Sequence, residues 1–414
     1  MPSMRRVVIT GMGVTSPLGN SVNDFEAALF SGRNGIDSIT RFDTEDFAVK
    51  IAGEVRNLDT DAYLDPYLAR KMDLFTVFAM VAAEQAVSQA GFLGHADPNR
   101  VGVIVGTGIG GIWTLEESAG ILKERGPRRI SPFMVIRLIA DIAAGQISIK
   151  YGLKGPNYCI TSACATGSNA IGDAFRLITY DDADVMVAGG CEAPITPISM
   201  AGFTNMKALS RNSDPATACR PFDAQRDGFV MSEGAGLVIL EELGHAERRG
   251  ATIHGELVGY GATADAFHVT APAEGGEGAA RAMALAIGNA GIEPDEVGYI
   301  NAHGTSTPRN DKNESFAIKS VFGDHATNGL LVSSTKSMTG HMLGAAGGAE
   351  AIACLLALER QEIPPTIHYT TPDPDCDLNY SPNKPTKHSF EYGLSNTFGF
   401  GGHNAVLLLK RFSG

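Results

Sequence analysis

The sequence has no long apolar run, no excess of positive charge and no cysteine pattern typical of a metal site. A membrane-spanning helix needs about 18 consecutive apolar residues, and no stretch reaches that length. Acidic residues outnumber basic ones, 46 against 33, which disfavours binding to nucleic acid. The six cysteines form no Cys-x-x-Cys pair and no His/Cys cluster with zinc spacing. We therefore expect no metal, no membrane insertion and no nucleic-acid partner.

The N-terminal residues contain no signal-peptide core, because the basic start leads directly into a predicted strand at residues 7–10. Irregularly spaced cysteines in a chain of this kind are typical of reduced thiols. We expect a cytoplasmic protein, or one of an organelle stroma or matrix if a transit peptide has been removed.

The 414 residues, 44% of them hydrophobic, carry a faint internal duplication. Residues 7–13 match residues 255–261, and each segment reads as a strand that closes on a Gly-x-Gly turn. The helix that stops at Gly91 and the strand that follows match the helix and strand around Gly291. Chance similarity between helices rich in alanine and glycine is the alternative interpretation.

The duplication predicts two halves, residues 1–250 and 251–414, which share one core because no long linker separates them. Strands alternate with helices in both halves, a pattern that predicts an α/β fold with mostly parallel sheets. Reactive groups gather beyond the carboxyl ends of such strands. Equivalent strand ends of the two halves therefore face each other across one site. Residues 190–245 are rich in glycine, proline, methionine and aspartate, and this composition predicts a long excursion of the chain out of the first half.

Cys164 is the candidate nucleophile, since a β-branched run stops just before it and a helical pattern begins. Free N–H groups and aligned peptide dipoles at a helix start favour an anion, which predicts a lowered thiol pKa. The same N–H groups can hold a developing oxyanion. The alternative is an inert cysteine among small core residues.

The second half supplies candidate partners for this thiol. His303 follows a predicted strand and precedes a glycine- and hydroxyl-rich turn, and Lys336 and His341 follow the next strand. If the halves pack as relatives, these side chains converge with Cys164. A structural role is the alternative for any single histidine.

Residues 394–407 predict two strands joined by a glycine-rich loop that carries Phe398 and Phe400. Glycines permit backbone conformations closed to other residues, so a phenylalanine can move as a gate and a loop N–H can point at an oxyanion. The alternative is a hairpin turn with both phenylalanines in the core.

These motifs resemble the β-ketoacyl-[acyl-carrier-protein] synthases of the type I/II class, most closely type II. The resemblance implies a thiolase-like fold, with two related βα halves packed as a layered α-β-α-β-α core. It is carried by residues 8–19, 162–167, 220–223, 226–229, 301–305, 336–337, 340–341 and 398–402.

The resemblance implies decarboxylative condensation of an acyl-carrier with a malonyl-carrier in fatty acid elongation. Cys164 is then the nucleophile, His303 and His341 the paired histidines, Lys336 their supporting cation and Phe400 the gate. The phosphopantetheine arm arrives on the acyl carrier protein, so the enzyme needs no cofactor of its own. The family also implies a homodimer.

Further residues take expected roles from the resemblance. Glu314 is the expected partner of Lys336, with a plain surface salt bridge as the alternative. Glu350, on a helix face of small residues, is either part of a buried ion pair, which we favour, or a cation site. Thr305 and Thr307 match the hydroxyls that bind the pantetheine amides. Ile109 and Phe203 resemble acyl-pocket positions, with ordinary core residues as the alternative, and Phe398 is a further candidate for substrate binding. Candidate basic residues for docking the acidic carrier are Arg70, Lys71, Arg128, Arg129, Lys207 and Arg211, with a solvated basic face as the alternative.

One segment departs from the family pattern. After Pro308 the family commonly has a small residue, glycine and aspartate, whereas this chain has Arg309, Asn310 and Asp311. The departure puts a bulky cation near the expected pantetheine entrance.

Three other interpretations remain at this stage. Residues 106–111 fit the Gly-x-Gly-x-x-Gly fingerprint of an NAD-dependent oxidoreductase, although the expected acidic residue about 20 positions later is absent. A polyketide ketosynthase would have the same active site. A non-catalytic polyketide subunit is disfavoured by the presence of Cys164.

Overall fold

The computed structural model describes residues 4–413. Within them the chain forms fourteen strands: β1 Val7–Thr15, β2 Asp37–Ser38, β3 Ile51–Ala52, β4 Val101–Gly106, β5 Asn157–Tyr158, β6 Val185–Glu192, β7 Gly234–Glu242, β8 Gly255–Ala264, β9 Val297–Asn301, β10 Leu331–Ser333, β11 Glu362–Ile363, β12 Thr386–Lys387, β13 Tyr392–Gly399 and β14 His403–Lys410. Fourteen α-helices accompany them: α1 Val22–Ser31, α2 Pro66–Ala69, α3 Leu74–Ala90, α4 Ile112–Arg125, α5 Met134–Leu138, α6 Ile142–Tyr151, α7 Thr166–Thr179, α8 Pro197–Asn205, α9 Leu243–Arg248, α10 Glu277–Ala290, α11 Pro308–Phe322, α12 His325–Asn328, α13 Lys336–Thr339 and α14 Ala346–Arg360. None of the helices in residues 4–413 combines the length and apolar character needed to span a membrane.

Ten strands form one sheet in the order β10-β9-β13-β14-β8-β1-β7-β6-β4-β5. Its two halves have the same arrangement and meet where β1 pairs antiparallel with β8. In each half the three outer strands are parallel, and the inner strands are antiparallel. The prediction of mostly parallel sheets is therefore wrong. After β6 a long excursion brings the chain back as the antiparallel strand β7, and after β13 a tight hairpin does the same for β14. A tight hairpin joins only antiparallel strands.

Helices cover both faces of each half-sheet. Helix α3 packs on β1, β6 and β7, and α10 packs on the equivalent strands β8 and β14. Between the half-sheets lie α7 and α14, which contact each other as well as strands of both halves. A Cβ atom at Gly167 of α7 would lie 2.8 Å from the backbone nitrogen of Gly348 in α14, so only glycine allows this approach. The result is the expected α-β-α-β-α layering.

The duplication is confirmed at the level of single contacts. A Cβ atom at Gly13 of β1 would lie 1.9 Å from the carbonyl oxygen of Ala82 in α3. A Cβ atom at Gly261 of β8 would lie at the same distance from the carbonyl oxygen of Ala282 in α10. Both halves thus use a glycine to bring a buried strand against its outer helix.

The predicted excursion lies between β6 and β7, at residues 193–233, and includes α8. Its last part crosses to the other half, where Met231 forms a parallel bridge with His341. The two halves share one sheet, and a division at residue 250 stays a prediction.

Candidate active site

Cys164 lies in a 3₁₀ turn, Ala163–Ala165, that leads directly into α7. The turn begins with Ala163 at φ 50°, a left-handed conformation that is unusual for a residue with a Cβ atom. Its counterpart in the second half, Leu343 before α14, has φ 45°. The sequence prediction of a helix start at the cysteine is confirmed. Cys164 as a whole is only 8% exposed.

The structure brings both candidate histidines to this thiol. The Nε2 atom of His341 lies 3.0 Å from the Sγ atom of Cys164. The ring of His303 stands edge-on to the ring of His341, with centroids 5.3 Å apart. Cys164 belongs to the first half of the chain and both histidines to the second, so the predicted convergence across the halves is present.

Buried backbone contacts fix the two histidines. The carboxylate of Glu314 accepts hydrogen bonds from the backbone N–H groups of His303 and Gly304, both at 2.8 Å. The backbone N–H of His341 donates to the carbonyl of Val230, in the excursion from the first half. Each imidazole is thereby held by a loop that is itself anchored.

Lys336 is buried and forms a salt bridge with Glu350, which is also buried. The expected ion pair of Glu350 is present, but the expected pairing of Lys336 with Glu314 is wrong. Glu314 instead binds the backbone of the His303 loop and the side chain of Asn396. Burial raises the pKa of Glu350 to about 7, and the charge of Lys336 opposes this rise.

The electrostatics of the site favour neutral imidazoles. Burial lowers the pKa of both His303 and His341 well below the usual value, and the positive charge of Lys336 acts in the same direction. Neutral imidazoles can donate an N–H to a developing oxyanion without being consumed as acids.

The expected low pKa of the nucleophile is wrong. Burial raises the pKa of the Cys164 thiol to about 12, while the charge of Lys336 and the backbone N–H of Phe400 oppose this rise. A helix start favours the thiolate, but desolvation of a sulfur in a cavity this closed outweighs that effect.

The predicted hairpin of β13 and β14 is confirmed, and its loop closes over the cysteine. The backbone N–H of Phe400 points at the Cys164 sulfur. A Cβ atom at Gly399 would lie 3.1 Å from the backbone nitrogen of Cys164, so the loop and the cysteine turn are in close contact. Phe398 stands edge-on to His303 with ring centroids 5.6 Å apart.

A cavity of about 580 Å³ contains these groups. Cys164, His303, His341 and Phe400 line it, whereas Lys336 lies behind its wall. The five expected substrate-binding residues also line it: Ile109, Phe203, Thr305, Thr307 and Phe398.

Sequence reasoning missed Glu192, which also borders the cavity. This fully buried carboxylate accepts hydrogen bonds from the backbone N–H groups of Gly108, Ile109 and Gly344. It therefore connects the loop at residues 106–111 to the second half of the chain. An acidic residue at the end of the buried strand β6 is the signal that could have identified it. Because the loop N–H groups are already bound, residues 106–111 offer no phosphate cradle, and the dinucleotide interpretation is contradicted.

The six candidate docking residues do not all lie at the cavity. Lys207 lines the cavity and the other five do not. Arg70, Arg128, Arg129 and Arg211 are exposed, and the ammonium of Lys71 lies 3.6 Å from the ring centroid of Tyr67.

Comparison with known protein families identifies the family of this chain. The model of the beta-ketoacyl synthase N-terminal domain matches residues 4–246, and that of the C-terminal domain matches residues 254–370. The chain belongs to the β-ketoacyl synthase family. It is 53% identical over 413 residues to 3-oxoacyl-[acyl-carrier-protein] synthase 2 of Staphylococcus aureus strain COL, with 100% of both chains covered. It is 52% identical to the protein of the same name from Synechocystis sp. strain ATCC 27184, with 99% and 98% covered.

Solved structures of this family have the same fold. A type II polyketide ketosynthase in complex with its acyl-carrier protein matches with a TM-score of 0.92 and 37% identity, covering 99% of this chain and 100% of the other. A beta-ketoacyl synthase from Burkholderia phymatum matches with a TM-score of 0.91 and 36% identity over the same shares. The thiolase-like fold expected from the sequence is confirmed.

Proposed function

We propose that this protein condenses an acyl-[acyl-carrier-protein] with malonyl-[acyl-carrier-protein] to give a 3-oxoacyl-[acyl-carrier-protein] and carbon dioxide, in fatty acid elongation. One observation carries the proposal: a buried thiol and two neutral imidazoles from opposite halves share one cavity, with Nε2 of His341 3.0 Å from the sulfur. The identity of more than half to relatives named 3-oxoacyl-[acyl-carrier-protein] synthase 2 supports it.

In the first step the acyl group moves from the carrier's phosphopantetheine sulfur to Cys164. The Cys164 sulfur bonds to the thioester carbon, the carrier thiol leaves, and the proton of Cys164 ends on that leaving thiol. The backbone N–H groups of Cys164 and Phe400 hold the tetrahedral oxyanion, which the approach of the hairpin loop to the cysteine turn supports.

In the second step the malonyl-carrier loses its carboxylate as carbon dioxide. The electron pair of the broken C–C bond forms an enolate, whose oxygen accepts hydrogen bonds from neutral His303 and His341. The carbanion attacks the acyl-cysteine carbonyl carbon, and the bond from that carbon to the Cys164 sulfur breaks. The released thiolate takes up a proton from solvent, which is the one proton that the overall reaction consumes. The low pKa values of the two histidines support their role as donors rather than acids.

Lys336 acts through the field it creates. Its charge lowers the pKa of Cys164 and of both histidines, so it favours the thiolate and keeps the imidazoles neutral. Lys336 and its partner Glu350 are positioning residues behind the cavity wall.

The partner is an acyl carrier protein, and the protein acts as a homodimer in the cytoplasm. A related ketosynthase was solved in complex with its carrier, which supports the first assignment. The homodimer is supported by an exposed apolar surface on and around α5 and on the edge strand β5, which a second copy of the chain would bury. Its residues are Phe133, Val135, Ile136, Ile139 and Tyr158. The six free cysteines support a reducing compartment.

A polyketide ketosynthase is the second candidate, because solved polyketide enzymes share the fold at 37% identity. The higher identity to the fatty acid synthase relatives favours the first candidate.

Purified acyl-carrier and malonyl-carrier test the proposal. We expect carbon dioxide release and a product two carbons longer, both abolished in Cys164→Ala and retained in the control Cys159→Ala, whose thiol lies outside the cavity. Absence of a longer product with the native enzyme would overturn the proposal. Extension of poly-3-oxoacyl carriers in preference to saturated acyl-carriers would favour the polyketide function.

A further inference from the structure

We propose that Arg309 binds the phosphate of the substrate's phosphopantetheine arm and makes this enzyme discriminate between phosphorylated and unphosphorylated thioesters. The inference rests on the proposed function, because it concerns the arm that the carrier would deliver. It assigns a role to the residue at which the chain departs from the family pattern.

Three residues of the loop after β9 and one residue in the first turn of α11 form a path from the reacting thiol to the surface. His303, Thr305, Thr307 and Arg309 all line the same cavity. Their exposure increases in this order: His303 is 3% exposed, Thr305 is 5% exposed, Thr307 is half-buried and Arg309 is exposed. The loop and the start of α11 therefore form one wall of the cavity, which runs from the buried histidine to the cavity mouth.

The order of chemical groups on this wall matches the order of groups along the arm. The arm begins with the thioester, continues through two amides and ends at a phosphate. His303 faces the thioester end, and the hydroxyls of Thr305 and Thr307, 2.9 Å apart, offer donors and acceptors for amides. Arg309 then supplies a cation where the phosphate arrives, and a guanidinium binds phosphate oxygens through paired N–H groups.

The guanidinium of Arg309 is free to take an anion. Among residues 4–413, no carboxylate oxygen lies within 4.0 Å of its nitrogens. The two aspartates that line the same cavity have other partners: Asp227 accepts from Ser210 and Arg211, and Asp265 accepts from Asn404 and Ala273.

Acyl transfer from two small thioesters isolates the phosphate. Acyl-4′-phosphopantetheine and acyl-pantetheine differ only in that group, and the rate of Cys164 acylation is measured for each by intact-protein mass spectrometry. We expect the native enzyme to prefer the phosphorylated donor by about tenfold in kcat/KM, mainly through KM, which corresponds to one exposed charge-assisted hydrogen bond. This preference decreases at high ionic strength because the contact is solvent-exposed.

Arg309→Gln removes the cation while keeping a polar side chain, and we expect it to reduce the preference to about one. Arg309→Lys keeps the charge and retains a preference. The control Arg248→Gln changes an exposed arginine of α9, outside the cavity, and keeps the native ratio. An unchanged ratio in Arg309→Gln, or loss of the ratio in Arg309→Lys as well, would overturn the inference. If the native enzyme is acylated by neither donor nor by acyl-carrier, the proposed function itself fails, so the two failures are distinguishable.

Discussion

Replacement of Lys336 by methionine tests the buried ion pair that supports the active site. Lys336 is 1% exposed and Glu350 is 3% exposed. Removing one partner of a buried pair costs about 3–5 kcal/mol when the other group remains charged. Glu350 can avoid this cost by taking up a proton, because burial already raises its pKa to about 7 and the loss of Lys336 raises it further. The destabilisation therefore depends on pH.

The sign follows from proton binding in the two states. Unfolded glutamate has a pKa of about 4.3, so it is ionised at neutral pH. As the pH rises past 7 the native folded carboxyl becomes ionised as well, and this group then adds little further pH dependence. In Lys336→Met the folded carboxyl keeps its proton, so folding becomes less favourable by about 1.4 kcal/mol for each pH unit.

Urea denaturation at pH 7.5 and 8.5 measures this difference. We expect the deficit of Lys336→Met relative to the native protein to grow by about 1 kcal/mol between the two conditions. In the control Lys336→Met/Glu350→Gln the carboxyl is absent, and the deficit is the same at both pH values. An equal deficit of Lys336→Met at pH 7.5 and 8.5 would refute the coupling of these two charges.

Three further outcomes follow from the site and the packing. His303→Ala is expected to accept an acyl group but to lose most decarboxylation of malonyl-carrier, and unchanged carbon dioxide release would contradict its role as an enolate donor. Alkylation of Cys164 by iodoacetamide should accelerate about tenfold per pH unit from pH 7 to 9, because burial raises its pKa to about 12; a plateau near pH 8 would disprove this. Gly13→Ala should destabilise by about 1–3 kcal/mol, since its Cβ would overlap the carbonyl of Ala82, whereas Gly120→Ala, with open space around it, should not. Equal thermal unfolding of these two variants would contradict the packing argument.

The sequence predicted the repeat because close packing leaves a local signal. Positions 13 and 261 require glycine because a helix backbone occupies the space that a side chain would need. Such glycines are recognisable in the amino-acid sequence. The mixed strand directions were not predictable in the same way. The direction of β7 depends on how the excursion at residues 193–233 returns to the sheet, and no local pattern specifies that path.

Charged partners in the interior were the weaker part of the prediction. Lys336 pairs with Glu350 rather than Glu314, and the choice depends on where the fold places these side chains, which residue spacing does not determine. The helix start at Cys164 predicts a lowered pKa of the thiol, whereas burial of the sulfur in the folded chain raises it. Long-range desolvation has no local sequence signature.

Intact-protein mass spectrometry after incubation with an acyl-carrier shows whether Cys164 is the nucleophile. We expect one acyl adduct per chain, mapped to Cys164, which disappears when malonyl-carrier is added and a 3-oxoacyl-carrier forms. A native protein that carries no adduct, or carries it on another residue, would contradict the assignment of Cys164.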